Sequence, residues 1–282
     1  MIEVLFQQDK IVVKHHENYV TDFYGIDSLE DSKDKGWFKE YPIQNFNYKF
    51  NSWGFRGQDY EQYRNLPIIA CIGDSFTVNL GEPIEHSWPS LLQKHFDIPC
   101  LNFGINGAGN DTIRLVYEKV LTLFEVKYVF VVYSFFNRRI ENNYLKSDYH
   151  DHEENIKHFE KNFINNAFYQ FIPHYCYSIE EKEYIKPKKE NYLLDLHSHW
   201  RIHDPRELVT KNNYEKLSGS DWCSYEEFLS GGELHNDLIT GKYKLLISKG
   251  YYSNRDGFHL NLKGNQLLAD NLYNQFLQGE TK

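Results

Sequence analysis

No apolar run in this chain approaches the ~20 residues that a helix needs to cross a bilayer, so a membrane-spanning role is not expected. Nor does the opening stretch, MIEVLFQQDKIVVKHH, carry a basic segment followed by an apolar one. No secretory leader is visible and a cytoplasmic location is the expectation, although release by lysis or carriage on a virus particle is equally compatible. Basic charge is in deficit: Lys and Arg number 31 against 40 Asp and Glu, a formal net charge of −9, with no basic stripe. A protein that tracks a phosphate backbone needs such a stripe, so nucleic acid is not an expected partner. The lysine-rich stretch from Lys182 to Lys189 is interleaved with Glu181, Glu183 and Glu190 and reads as a solvated face.

Cysteine is scarce. Cys71, Cys100, Cys176 and Cys223 have neither metal-type spacing nor the density of a disulfide scaffold, which makes a reducing compartment the default. Cys71 and Cys100 lie in apolar segments, where a free thiol behaves as a small hydrophobe. His197, His199 and His203 with Asp204 are residue types that suit zinc, but no cysteine accompanies them. No metal and no cofactor is expected. Internal repeats and low-complexity tracts are absent too.

What is present is ordinary for a globular protein, 41% hydrophobic and 25% charged, in 282 residues that can bury one α/β core with a large insertion. Aromatics are abundant at 17%, with 22 Tyr and 20 Phe. Such surface often lines grooves for sugars or partners, but a low-GC coding bias accounts for the larger share.

Residues 1–66 are polar, aromatic and irregular, with turn signals around Asn51-Ser-Trp-Gly54 and Arg56-Gly57, and read as an N-terminal extension packed on a core domain of residues 67–282. The run from Leu66 to Ile72, ending in Gly73, predicts a strand buried on both faces. Trp88 to Phe96 predicts a short helix, and Pro99 to Phe103 a second strand ending in Gly104. Asp111 can cap a helix whose apolar positions are Ile113, Val116, Tyr117, Val120, Leu121 and Phe124. Tyr128 to Tyr133 predicts a third strand. This alternation implies βαβ units and a parallel sheet covered by helices. From about 141 to 250 no strand can be placed, and the stretch reads as an insertion or lid with helices of its own. A closing helix puts Leu268, Ala269, Leu272 and Phe276 on one face.

The chemistry concentrates at two points. Gly73-Asp74-Ser75 ends the first strand, where an α/β sheet places its ligand crevice, and a serine on that turn has an exposed hydroxyl and an amide free for an oxyanion. Serine needs a base, usually histidine, and the imidazole needs a carboxylate to fix its tautomer. Asp256 and His259 supply both from one turn, while Asp74, beside the nucleophile, is assigned to capping.

With these residues the chain resembles the SGNH/GDSL hydrolases, over roughly residues 68 to 270. Gly73-Asp74-Ser75 looks like their first block, and Asn102-Phe-Gly-Ile-Asn-Gly107 like the second, whose glycine donates a backbone N–H to the oxyanion hole. Tyr133-Ser-Phe-Phe-Asn137 takes the place of the third, normally Gly-x-Asn-Asp, with Phe135 at the glycine position and Arg138 after the asparagine. Asp256-Gly-Phe-His259 matches the fourth. The resemblance implies a three-layer α/β/α sandwich with a parallel, flavodoxin-like sheet, and a catalytic set of Ser75, Asp256, His259, Gly107 and Asn137. Asn137 would be the third oxyanion donor, a contribution of about 10²–10³ in rate where it is made. Residues 51–57, Asn-Ser-Trp-Gly-Phe-Arg-Gly, resemble a segment that precedes the domain in some polysaccharide-modifying members. Asn110 and Asp111 are explained by helix capping, and Arg138 and Arg139 as salt-bridged surface residues.

The implied activity is a serine esterase that removes a small acyl group, acetyl above all, from a carbohydrate or similar polyol. Two alternatives stay open: an O-acyltransferase using the same residues, and a non-catalytic carbohydrate-binding or structural module that kept the scaffold. The natural substrate and the oligomeric state are not legible.

Overall fold

A computed structural model of the chain describes residues 2–25, 27, 46–134, 138–141, 144–147, 152–171, 177–178, 183–184 and 259–280. Two short antiparallel ladders come first, β1 (Val4–Phe6) with β2 (Ile11–Val13), and β3 (Val20–Thr21) with β4 (Tyr48–Lys49). The 51–57 loop is stitched beside β2. Val13 N–H donates to Trp53 O, and Asn51 Oδ1 accepts the N–H groups of Trp53 and Phe55. Gly54 closes this turn at φ +81°, where a side chain's first carbon would stand 2.3 Å from Val13 O, so only glycine fits. Trp53, Phe55 and Tyr60 then pack with Phe103 and Phe124. Much of the aromatic content of this N-terminal stretch is therefore core.

The apolar run becomes β5 (Pro67–Gly73), followed by the one-turn helix α1 (Ser75–Val78), α2 (Trp88–Leu92) and β6 (Cys100–Gly104). Next come α3 (Asn110–Leu123), β7 (Glu125–Tyr133), a hairpin of β8 (Arg138–Glu141) and β9 (Tyr144–Ser147), α4 (His152–Asn162), β10 (Phe168–Phe171) and α5 (Leu262–Glu280). The main sheet is parallel, in the order β6-β5-β7-β10, which is the flavodoxin-like arrangement. Strand parity divides its two faces. Ile68, Ala70 and Ile72 face Ile113, Val116 and Val120 of α3 together with the N-terminal aromatics. Ile69, Cys71, Phe130 and Val132 face Trp88, Leu91 and Leu92 and the Leu268, Ala269 and Leu272 stripe of α5. Helices thus cover both faces of a sheet whose central strands are buried, an α/β/α sandwich.

Three details differ from the sequence-based expectation. Helix α3 begins at Asn110 with Gly109 as its cap, so Asp111 sits in the first turn rather than at the cap. Leu121 is exposed, because the inward stripe narrows to Ile113, Val116 and Val120, and Phe124, just past the helix end, turns in against Trp53. The 141–250 stretch contributes α4 and β10, and β10 pairs in parallel with β7 from Phe168↔Phe130 to Phe171↔Tyr133. Among the described residues no helix is long and apolar enough to cross a membrane.

Candidate active site

The site grows from the carboxyl ends of β5, β6 and β7. Gly73 is paired with Gly104 on one side and Val132 on the other. Neither glycine tolerates a side chain. A carbon added at Gly73 would stand 2.1 Å from Thr77 Oγ1, and one at Gly104 would stand 2.5 Å from Val78 N. These close approaches let β6 press directly on α1. Gly104→Ala should therefore push the backbone of α1 aside at a cost of about 1–3 kcal/mol, measured as a lowered denaturant midpoint with an unchanged slope.

Asp74 caps α1, its Oδ1 accepting the Phe76 N–H at 3.0 Å, while its backbone carbonyl takes the N–H groups of Thr77 and Val78. The Ser75 N–H stands outside that network, as the first donors of a helix do. Ser75 is 4% exposed and His259 2% exposed. His259 Nε2 lies 2.8 Å from Ser75 Oγ, so the serine hydroxyl can donate to it when the ring proton is on Nδ1. The imidazole also packs on the Phe76 ring, centroids 4.7 Å apart.

Asn265 holds these two distant parts of the chain together. From the apolar face of α5, its Nδ2 donates to Asn79 Oδ1 at 2.8 Å and to Leu260 O at 3.0 Å, and its Oδ1 accepts the Trp88 N–H. One side chain thus joins the residue after His259, the end of α1 and α2. Asn265 was not among the residues expected from sequence; the available signal was a buried amide on the stripe of Leu268, Ala269 and Leu272. Asn79 itself ends α1 in the left-handed region, φ +63°.

Gly107 lies on the turn after β6. Ala108 N–H donates to Ile105 O, and Gly107 takes φ +72°, the combination of a type II turn with glycine at its third position. Its own N–H is not the one that closes the turn. At the end of β7 the Asn110 side chain brackets Ser134, accepting its N–H and donating to its carbonyl, so Asn110 does more than begin a helix. Ser134 Oγ in turn donates to Asp74 Oδ2 at 2.8 Å, and Arg138 Nη1 stands 3.4 Å from the same oxygen. Arg138 is thus ion-paired to a buried carboxylate beside Ser75, and Arg139 is buried, not a surface residue. Asn137 and Asp256 lie outside the described residues, as do His197, His199, His203 and Asp204. Among the described residues no three His, Cys, Asp or Glu side chains gather as metal ligands.

The loop behind α1 is fixed from the N-terminal side. Arg56, 1% exposed, donates through Nη1 to the carbonyls of Val78 and Asn79 and through Nη2 to that of Glu82. Tyr48 OH accepts the Gly81 N–H and donates to Asp27 Oδ2 at 2.5 Å. Burial, reinforced by the Asp27 charge, pushes the Tyr48 hydroxyl far above the ordinary phenol range and keeps it a donor.

No family model matches the chain, and no curated protein matches it in sequence. Among solved structures it is similar to a psychrotrophic esterase from Pseudoalteromonas sp. inhibited by monoethylphosphonate, at 16% identity and a TM-score of 0.33 over 76% of this chain and 99% of that one. It is also similar to a lipolytic protein of the G-D-S-L family from Desulfitobacterium hafniense DCB-2, at 16% identity and a TM-score of 0.32 over 73% of this chain and 97% of that one.

Proposed function

We propose that the chain is a serine esterase of the SGNH/GDSL type, in which His259 activates Ser75 for attack on a carboxylic ester. The observation that carries this reading is the 2.8 Å approach of His259 Nε2 to Ser75 Oγ, both groups buried at the carboxyl end of a parallel sheet. His259 takes the Ser75 proton as Oγ bonds to the carbonyl carbon. The oxygen, now negative, is received by the N–H groups of Ser75 and Gly107 and by the Asn137 amide. Asp256 holds the imidazole through Nδ1 and stabilises its charged form. His259 then returns the proton to the departing alcohol, and water releases the acyl group by the same steps reversed. Acetyl on a carbohydrate or similar polyol is the substrate class we assign, on the resemblance of the four blocks. No cofactor enters this scheme.

The test is to incubate the protein with p-nitrophenyl acetate and longer-chain esters, with and without an added sugar acceptor, and to map acylated peptides by mass spectrometry. Release of nitrophenol with the acyl group on the Ser75 peptide is the expected result. Acetate as the final product identifies a hydrolase, and acetylated sugar identifies an O-acyltransferase. No release and no acyl-serine with any ester would overturn the reading in favour of a binding module.

A further inference from the structure

The esterase reading needs the Gly107 N–H to point at the ester oxygen, and a turn does not guarantee this by itself. Type I and type II turns differ chiefly by a flip of the central peptide, which here is the bond between Asn106 and Gly107. In one orientation the Gly107 N–H faces one side of the turn, and in the other the opposite side. Glycine at the third position permits the type II form without enforcing it. Whatever holds Asn106 therefore selects the direction of that N–H.

Asn106 is held by the N-terminal segment. Gly25, at φ +69°, lies so close that a side-chain carbon there would stand 2.9 Å from Asn106 Nδ2 and 3.1 Å from Leu80 Cδ1. The Asn106 side-chain amide also lies beside the Tyr24 hydroxyl, offsetting in part the burial that raises that phenol above its ordinary range. The Tyr24 ring is fixed in turn, edge-on to Phe50 at 4.8 Å and to His16 at 5.2 Å. Two residues on from Gly25, the Asp27 N–H bonds back to Tyr24 O, and Asp27 is joined through Tyr48 OH to the Gly81 N–H. One short segment, remote in sequence from all four blocks, touches both the loop after the nucleophile helix and the turn that carries Gly107.

We propose that Tyr24 and Gly25 are positioning residues for ester cleavage, holding Asn106 so that the Gly107 N–H is aimed at the developing oxyanion. The proposal rests on the esterase reading. It makes the N-terminal segment part of the catalytic apparatus as well as part of the core, although neither residue touches the substrate.

Tyr24→Phe keeps the ring in its aromatic cluster and removes only the hydroxyl. It should lower kcat for p-nitrophenyl acetate about tenfold, less than the roughly 10²–10³ of deleting an oxyanion donor outright. KM should not change, and the melting temperature should stay within about 2–4 °C of wild type, the shift of about 1 kcal/mol in a domain of this size. Asn106→Ala should show the same split. The double variant should be no slower than the slower single, because both act through one peptide. Unchanged kcat in Tyr24→Phe, or additive losses in the double variant, would overturn the proposal while leaving an active wild-type esterase intact. A wild type that neither turns over esters nor forms acyl-Ser75 would overturn the esterase reading itself, and this proposal with it.

Discussion

Ser75→Ala is expected to lower kcat for p-nitrophenyl acetate by roughly 10⁴–10⁶-fold, since removing the nucleophile of such a set costs about as much as removing the whole set. The residue of activity should come from the oxyanion donors and substrate binding, about 10³–10⁴ over water. Little stability should be lost. The bond removed is one neutral hydrogen bond to His259, with a net contribution of about 0.5–1.5 kcal/mol, and the alanine fits where the serine was. His259→Ala should be comparably slow, and the double variant scarcely slower than either, because the two groups act in one proton transfer. Parallel initial rates for the four proteins, with thermal melts to confirm folding, decide this. Equal rates in wild type and Ser75→Ala would assign the turnover to another nucleophile and end the case for Ser75.

The stretch from Pro67 to Tyr133 was legible because a parallel strand buried on both faces has to be a continuous apolar run, and three such runs alternate with helical spacing. The turn residues at their ends were legible for the same local reason. Gly73 and Gly104 mark where two strands approach α1 too closely for a side chain. Ser75 stands out in the sequence by its turn and His259 by its neighbours in the chain. Their meeting, at 2.8 Å, depends on contacts that no local pattern encodes. Asn265 is the clearest case. A single amide on an apolar helix face reads as an imperfection until Asn79, Leu260 and Trp88 come together around it.

β10 escaped for another reason. Phe-Tyr-Gln-Phe is four residues with no β-branched side chain, and among the described residues it is paired along one side only, with β7. Its position is set by pairing with β7 and by packing of Phe168 on Phe130, both long-range. The N-terminal stretch was illegible because its order comes from turns and side-chain bonds to other segments. Val13, Trp53 and Phe55 belong to the same core as Ile68, Ala70 and Ile72 of the sheet, yet no periodicity in residues 1–66 announces it.

Arg56 shows how much of the fold such a stretch can control, and Arg56→Ala should be the most destabilising single change in it. The guanidinium is buried over the Tyr48 ring at 4.2 Å and donates to three carbonyls, those of Val78, Asn79 and Glu82, whose residues are all buried. Truncation leaves those oxygens without their charged donor and opens a space that the aromatic neighbours cannot fill. Unmade hydrogen bonds at buried groups cost about 1–3 kcal/mol each and do not add fully, so a loss of about 3–5 kcal/mol is expected. At roughly 2–4 °C per kcal/mol, the melting temperature should fall by about 6–20 °C. Arg56→Lys should recover only part of this, because a single ammonium on a flexible stem cannot span carbonyls on both sides of the loop as a planar fork does. Turnover should respond as well as stability. Those carbonyls belong to the end of α1 and the loop behind it, so loosening them frees the turn that carries Ser75. Assayed well below its own melting temperature, Arg56→Ala should therefore show a lowered kcat, whereas a full rate there would make the arginine a support of the fold alone.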